Sequence, residues 1–92
     1  MNKFTLALCD DEDFVHDRIG SLLEEFTEAL HIEFILLHFY SASELIETVH
    51  RIDCLLLDME MPEIDGIVAA RKIRHQHKEY PIIILAGQTT DV

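Results

Sequence analysis

The sequence predicts a doubly wound parallel α/β fold, because short apolar runs alternate with longer amphipathic stretches along its 92 residues. Each apolar run has the length of a buried strand, and each amphipathic stretch repeats its apolar residues at helical spacing. The resulting order, βαβαβαβ, favours a parallel sheet with right-handed crossovers and helices on both faces. We expect a single domain spanning 1–92. In such sheets a functional site forms at the carboxyl ends of the strands, where the strand order reverses.

Four apolar runs and three amphipathic stretches define the predicted elements. The predicted strands are residues 3–9, 33–39, 53–58 and 81–86. The predicted helices run from Asp13 to about Leu30, from the N-cap Ser41 to about His50, and from about Asp65 to His77. Glu44, three residues after Ser41, completes the pattern of a capping box. Helical spacing places Val49 on the buried face of the second helix. On the third helix it buries Ile67, Ala70 and Ile73 or their neighbours.

The composition favours a folded, acidic domain. Hydrophobic residues make up 49% of the chain, but no run approaches the ~20 apolar residues that a membrane helix needs. The formal net charge of −11 argues against nucleic-acid binding by this segment, because phosphate contacts need a basic face. We therefore expect a cytoplasmic protein that contacts neither nucleic acid nor membrane.

The cysteines and histidines have structural explanations. Cys9 lies near the carboxyl end of the first strand and Cys54 near the amino end of the third, so parallel strands would hold them too far apart for a disulfide. Both are expected to be small core residues. Four of the six histidines, at 16, 31, 38 and 50, are scattered over separate elements, and His75 and His77 face different sides of one helix. We expect all six on the surface or in loops.

Carboxylates follow two of the predicted strands. Asp10 and Asp11 end the first strand, and Asp58 ends the third. If these strands are parallel neighbours, the carboxylates meet at one edge of the sheet, where they cannot all stay ionised without a counter-charge. Mg²⁺ accepts such oxygen ligands, and one carboxylate could then attack phosphorus as a nucleophile. A purely structural reading, in which acids cap helices, suits Asp13 and Asp65 better.

Two motifs carry a family resemblance. The first is the LCDDE stretch that ends the first strand, and the second is DCLLLDMEMPEIDG at 53–66, which contains a D-x-x-M-P-x-x-D-G pattern. At this spacing they resemble the receiver domain of bacterial two-component response regulators, a CheY-like domain with a flavodoxin-like fold. The surrounding residues are most similar to receivers of regulators that carry a LytTR-type DNA-binding domain.

The resemblance implies a role for each acidic residue. Asp58 would accept a phosphoryl group from the phosphohistidine of a sensor histidine kinase. Asp10 and Asp11 would hold Mg²⁺, together with Asp58 and the main-chain carbonyl of Glu60. The domain would relay its phosphorylation state to an output domain or partner, for instance in transcription, and would not act as an enzyme on metabolites.

The chain departs from the family pattern towards its end. Receivers have five strands and five helices, so we expect this chain to lack the last strand and the last two helices, either as a piece of a longer regulator or as a naturally short receiver. The family's lysine after the fifth strand has no counterpart here. The family's switch serine or threonine falls on Ala86, with Thr89 and Thr90 a few residues downstream.

These departures leave two alternatives open. A degenerate receiver would keep the fold and bind a partner without being phosphorylated. A Mg²⁺-dependent phosphatase would use Asp58 as its nucleophile, although Glu60 is the wrong length for the second acid of such enzymes.

The missing elements also predict self-association. Without them, the far edge of the fourth strand and part of the apolar stripe of the first helix would be uncovered. An uncovered apolar edge is an association site, so we expect a homodimer or a segment-exchanged oligomer through the fourth strand or the first helix.

Overall fold

The computed structural model describes residues 2–76 and 78–86, which form a parallel sheet flanked by helices. The elements in chain order are β1 (Asn2–Cys9), α1 (Asp13–Leu30), β2 (Ile32–Phe39), α2 (Ala42–Glu47), β3 (Cys54–Asp58), α3 (Gly66–His75) and β4 (Ile82–Leu85). This order confirms the predicted alternation of strands and helices. The predicted helix end at His77, the residues Thr89 and Thr90, and the tail at 87–92 lie outside the described residues.

The strand order places a switch point beside β1. All strand pairs are parallel, and the order across the sheet is β2-β1-β3-β4. The chain therefore moves outward from β1 to β2 and then returns past β1 to β3. The carboxyl ends of β1 and β3 flank this reversal, which is where such sheets place their functional crevice.

The register between β1 and β3 separates the two cysteines and aligns the two strand ends. Leu6 pairs with Cys54, and Cys9 pairs with Leu57. Both cysteines are free and buried, which confirms their predicted place in the core. The residues that follow the last pair are Asp10 and Asp58, so these two acids lie side by side at the sheet edge.

Two hydrogen bonds between Asp53 and Thr5, at the amino end of β3, fix this register. The N–H of Asp53 donates to the carbonyl of Thr5 at 2.8 Å, and the N–H of Thr5 donates to Asp53 Oδ2 at 2.7 Å. The Asp53 carboxylate thus replaces a main-chain acceptor just before β3 begins. Because the register is fixed here, it is also fixed at Asp58.

The main core lies between the sheet and the helices α2 and α3. Its buried members include Ala7, Cys9, Leu45, Leu55, Leu57, Ala69 and Ile73. Side chains alternate along a strand, so the neighbouring Leu8 and its partner His38 face the opposite side, where α1 lies. Helices on both faces make the sheet doubly wound, as predicted.

Helix α1 is less buried than its apolar stripe predicts. Its one fully buried residue is His16, whereas Phe14 and Phe26 are 60% and 48% exposed. The helix packs mainly on β2, at one side of the sheet. Within the described residues, its other side faces solvent.

Two local predictions on the helices are wrong. Helix α2 ends at Glu47, because Thr48 adopts an extended backbone and the Lys78 ammonium donates to the Thr48 carbonyl at 3.2 Å. Val49 therefore lies outside the helix and is 97% exposed. In α3, Ile73 is buried as predicted, together with Gly66 and Ala69, which neighbour the predicted Ile67 and Ala70, while Ile67 itself is exposed.

The predicted caps are mostly present. Ser41 Oγ accepts from the N–H of Glu44, while Glu44 Oε1 accepts from the N–H of Tyr40, one residue before the expected partner. Asp65 caps α3 by accepting from the N–H of Val68 at 2.9 Å. Glu12 is the N-cap of α1 and makes no side-chain capping bond, while Asp13, an expected capping acid, is the first residue of the helix. None of the helices within the described ranges is long and apolar enough for a membrane span.

Candidate acidic site at the switch point

Asp10 and Asp58 line the same groove at the switch point. The groove has a volume of about 590 Å³ and opens between the start of α1 and the end of β4. Ala86 lies at its rim, at the end of β4 as the sequence predicted. The sheet thus brings together two acids that are 48 positions apart in the chain.

Three consecutive acids form a compact cluster on the β1 side of the groove. Single carboxylate oxygens of Asp10, Asp11 and Glu12 lie within 4.8 Å of one another. Asp10 is only 5% exposed, whereas the other two are exposed. Among the described residues, this cluster does not include Asp58, which lies on the neighbouring strand. The ligand set predicted from the sequence does not contain Glu12, although its position next to Asp11 is a visible signal.

Main-chain hydrogen bonds hold Asp10 in place. Its N–H donates to the carbonyl of Phe39 at 3.0 Å, which continues the β1–β2 ladder by one residue. Its Oδ1 accepts from the N–H of Glu12 at 2.9 Å. The chain therefore turns sharply at Asp10, and the turn directs the carboxylates of the cluster towards the sheet edge.

Burial and neighbouring acids act on the Asp58 carboxyl. Burial raises the pKa of Asp58 above its ordinary value of 3.8, and the charges of Asp10 and Asp11 raise it further. The N–H of Glu60, which donates to Asp58 Oδ1 at 3.0 Å, lowers the pKa in opposition. A nearby cation would stabilise the ionised form of such an acid.

The loop after Asp58 is fixed by contacts between main-chain atoms. The N–H of Met59 donates to the Leu85 carbonyl at 3.0 Å, and the N–H of Gly66 donates to the Met59 carbonyl at 2.8 Å. A Cβ on Gly66 would lie 2.5 Å from the Asp58 carbonyl oxygen. Gly66 therefore occupies a position that a side chain would obstruct.

His16 contradicts the prediction that all six histidines lie on the surface or in loops. It is 3% exposed, and its Nε2 lies 2.9 Å from the main-chain oxygen of Asp10. Its Nδ1 lies 2.8 Å from Nδ1 of His38, and its ring stacks on Tyr40 with 4.1 Å between centroids. The sequence did carry a signal, because His16 is in helical register with the apolar Ile19 and Leu23.

Two further features of the site were not predicted. Arg18 of α1 lines the groove and brings a positive charge to its acidic wall. Asp11 also lines a second, smaller cavity of about 160 Å³, together with Tyr40, Ser41 and Met61. The buried Cys9 thiol lies beside this region, with Sγ 3.7 Å from Met61 Sδ.

The donor set fits a hard divalent cation. Carboxylate oxygens are ligands that Mg²⁺ accepts, and the described cluster of Asp10, Asp11 and Glu12 offers only these. Acids this close repel one another, so a bound cation would relieve their repulsion. The residues present are therefore suited to Mg²⁺.

The fold and this site define a flavodoxin-like α/β signalling domain with acids at its switch point. Residues 6–92 match the family described as response regulator receiver domain, and the chain belongs to that family. It is thus a receiver domain of the type found in two-component response regulators.

Within the aligned segments, about a third of the residues are identical between this chain and several curated relatives. The regulatory protein VanR of Enterococcus faecium is 30% identical over 89 residues, which cover 95% of this chain and 36% of VanR. The transcriptional regulatory protein SrrA of Staphylococcus aureus is 34% identical over 83 residues, which cover 90% of this chain and 32% of SrrA. A protein-glutamate methylesterase/protein-glutamine glutaminase of Trichodesmium erythraeum is 32% identical over 89 residues, which cover 97% of this chain and 25% of that enzyme. The chain therefore spans about a third or less of the length of these relatives.

Solved structures show the same fold. The response regulator protein TrrA of Thermotoga maritima, in complex with Mg²⁺ and beryllium fluoride, superposes with a TM-score of 0.76 at 25% identity, covering 94% of this chain and 70% of TrrA. The N-terminal domain of a response regulator from Carboxydothermus hydrogenoformans gives a TM-score of 0.78 at 22% identity, covering 95% of this chain and 67% of that one.

Proposed function

We propose that Asp58 is the phosphoacceptor of this receiver domain and that a sensor histidine kinase is the donor. The observation that carries the proposal is the position of Asp58 at the switch point, in one groove with Asp10 and beside the cluster of Asp10, Asp11 and Glu12. In the reaction, an oxygen of the Asp58 carboxylate attacks phosphorus. The bond between phosphorus and the histidine nitrogen breaks, and its electron pair stays on that nitrogen, which takes up a proton.

Mg²⁺ is the proposed cofactor of this step. Its protein ligands would be the carboxylates of Asp10, Asp11 and Asp58 and the main-chain carbonyl of Glu60. When bound, the cation supplies positive charge that offsets the negative charge of the phosphoryl group. The Glu60 N–H donates to Asp58 Oδ1, which orients the peptide between Met59 and Glu60. The Mg²⁺ and beryllium fluoride bound to TrrA support this assignment by likeness.

The test is formation of an acyl phosphate on Asp58. The chain is incubated with acetyl phosphate and Mg²⁺, and the adduct is located by mass spectrometry after borohydride trapping. We expect an adduct on wild type that is absent from Asp58→Asn and from samples with a chelator. Glu63→Gln, which removes an exposed acid of the same loop, should still form it. An adduct of equal yield in Asp58→Asn, or no adduct on wild type, would reject the proposal.

We further propose that this domain relays its phosphorylation state to an output domain that acts in transcription or to a partner. The names of VanR and SrrA support a regulatory role, and the segment's own net charge of −11 opposes direct contact with nucleic acid. We further propose that residues 1–92 act as a single cytoplasmic receiver domain and do not themselves catalyse a reaction on metabolites. The non-phosphorylated alternative is not favoured, because Asp58 shares a groove with Asp10 beside a compact acidic cluster.

Self-association through β4 or α1 is a further part of the proposal. Ile83 on β4 is 51% exposed, and α1 exposes Phe14, Leu22 and Phe26. In the described sheet β4 is an edge strand that pairs with β3 alone, so its other edge can accept a strand from a second copy.

Sedimentation velocity at micromolar concentration tests this association. We expect dimers or larger species for wild type and a shift towards monomer for Ile83→Lys. The matched control is Val49→Lys, which adds the same charge at a residue that is 97% exposed and far from β4 in sequence. A compact wild-type monomer, or equal behaviour of the two variants, would contradict the proposal.

A further inference from the structure

His16 is a buried polar residue of α1 that the proposed phosphoacceptor chemistry does not use. It lies in the second turn of the helix, and its ring reaches back to the end of β1. Its three partners, Asp10, His38 and Tyr40, lie at the carboxyl ends of the two neighbouring strands β1 and β2 or directly after them. One ring therefore joins a helix to the ends of both strands.

The hydrogen-bond donors of this contact can be assigned. A carbonyl oxygen only accepts, so Nε2 of His16 carries the hydrogen and donates it to the Asp10 oxygen. In the neutral ring Nδ1 is then an acceptor, and His38 donates to it from its own Nδ1. The stacked ring of Tyr40 restricts rotation of the imidazole. His38 and Tyr40 thus hold the His16 ring in the orientation that reaches Asp10.

The oxygen that accepts this hydrogen bond belongs to the peptide between Asp10 and Asp11, the two proposed cation ligands. The carbonyl of Asp10 lies in one plane with the α-carbons of Asp10 and Asp11, because the peptide bond is planar. A hydrogen bond to that oxygen restricts rotation of the plane, and with it the direction in which both side chains leave the backbone. Within the described residues, the N–H of Asp10 donates to the Phe39 carbonyl and its side-chain Oδ1 accepts from the N–H of Glu12, and neither bond involves the Asp10 carbonyl.

We propose that His16 is a positioning residue for the cation site, which holds the Asp10–Asp11 peptide so that both carboxylates converge. This inference rests on the proposed function, since it takes Asp10 and Asp11 as the Mg²⁺ ligands. Residues that orient the ligands of a metal typically change its affinity by a factor of ten or more when they are replaced. His16 acts through the backbone and contacts no reacting atom.

Three substitutions separate the hydrogen bond from the packing of the ring. His16→Phe keeps an aromatic ring against Tyr40 and removes the donor. His16→Gln can place its amide nitrogen near the position of Nε2, whereas the shorter side chain of His16→Asn places it near Nδ1 and cannot reach the Asp10 oxygen. The Gln and Asn variants are similar in polarity, so their comparison still decides the matter if His16→Phe does not fold.

Mg²⁺ affinity and metal-free amide exchange are the two readouts, both followed by NMR. We expect His16→Phe and His16→Asn to weaken Mg²⁺ binding about tenfold. The same variants should speed hydrogen exchange at the amides of Asp11 and Glu12 without the cation. His16→Gln should recover most of both properties. Ser21→Ala, at an exposed position of α1, should match wild type.

The outcomes distinguish this inference from the function on which it rests. If wild type binds Mg²⁺ and all three variants bind it equally well, His16 does not position the site, and the proposed function stands. The inference also fails if Gln and Asn weaken binding equally, since the donor at Nε2 would then be irrelevant. If wild type binds no Mg²⁺ and forms no adduct on Asp58, both the proposed function and this inference are rejected.

Discussion

Gly66 and Asp58 are in contact through their backbones: a Cβ added to Gly66 would stand 2.5 Å from the Asp58 carbonyl oxygen and 2.9 Å from the Met59 α-carbon. The N–H of Gly66 also donates to the Met59 carbonyl at 2.8 Å. The first residue of α3 therefore rests directly on the end of β3. This contact closes the loop that follows the proposed phosphoacceptor.

Gly66→Ala should destabilise the fold by about 1–3 kcal/mol, the usual cost of forcing extra volume into a packed site. The clash is with main-chain atoms, which cannot rotate away as a flexible side chain would. Urea unfolding followed by circular dichroism measures the free energy of unfolding.

Gly20→Ala is the matched control for this substitution. Gly20 lies in α1, and a Cβ there would meet only Leu36 Cδ2 at 4.0 Å, an ordinary contact. Alanine in a helix interior is favoured over glycine by about 0.5–1 kcal/mol, so this variant should be more stable than wild type. Similar effects from the two substitutions would show that backbone contact at Gly66 is unimportant.

Asp58→Asn should raise the melting temperature at pH 7 in the absence of divalent cations. The pKa of Asp58 is raised in the folded state by burial and by the charges of Asp10 and Asp11. Folding therefore favours the protonated acid, and this stability is present below the unfolded pKa and lost as pH rises through the folded pKa. At pH 7 the ionised side chain lowers stability, which the neutral amide avoids.

Two comparisons check this assignment. The advantage of Asp58→Asn should shrink as pH falls towards the ordinary pKa of 3.8, and Mg²⁺ should raise the melting temperature of wild type more than that of the variant. Glu25→Gln, at an exposed position of α1, should leave the wild-type pH dependence unchanged. A lower melting temperature for Asp58→Asn at pH 7 would contradict the prediction.

Cys9 should resist alkylation in the folded protein. Burial raises the pKa of its thiol from 9.0 to about 12, and the charge of Asp10 adds to this effect. The reactive thiolate is therefore scarce at pH 8, where a denatured chain would react readily. Mass spectrometry after iodoacetamide treatment, with and without urea, measures the protection. The raised thiol pKa also predicts that the stability of the fold falls as pH rises from about 9 towards 12, because the thiol ionises first in the unfolded chain. Labelling of Cys9 at the denatured rate would refute the assignment.

Asp53→Ala should destabilise the fold by about 1–3 kcal/mol, because the N–H of Thr5 loses its charged acceptor. The salt bridge from Arg51 to Asp53 spans 3.6 Å, but the arginine side chain is 90% exposed. Arg51→Ala should therefore cost less than about 1 kcal/mol. Urea unfolding of both variants separates the two contacts, and equal losses would assign the effect to the salt bridge instead.

The sequence was sufficient to predict the strands and the convergence of Asp10 with Asp58. Buried parallel strands appear as continuous apolar runs, and the end of each run marks where its acid must lie.

Other features depend on contacts between distant parts of the chain. The end of α2 at Glu47 is set in part by Lys78, thirty residues beyond the carbonyl of Thr48 that it binds. The burial of His16 depends on partners that follow or end β2, and helical spacing alone does not distinguish a hydrogen-bonded core histidine from a surface one. The exposure of Phe26 reflects which side of α1 the sheet covers, and this is fixed only when the strands assemble.

His16, the one fully buried side chain of α1, is also the residue that donates a hydrogen bond to the Asp10 carbonyl. A protein or second copy that presses α1 onto the sheet would thereby favour the arrangement of Asp10 that suits a cation. Thermodynamic linkage makes this coupling mutual, so a cation bound at the acidic cluster would raise the affinity of the domain for that partner by the same factor. The outer surface of α1 and the cation site at the sheet edge would then be coupled without a change of fold.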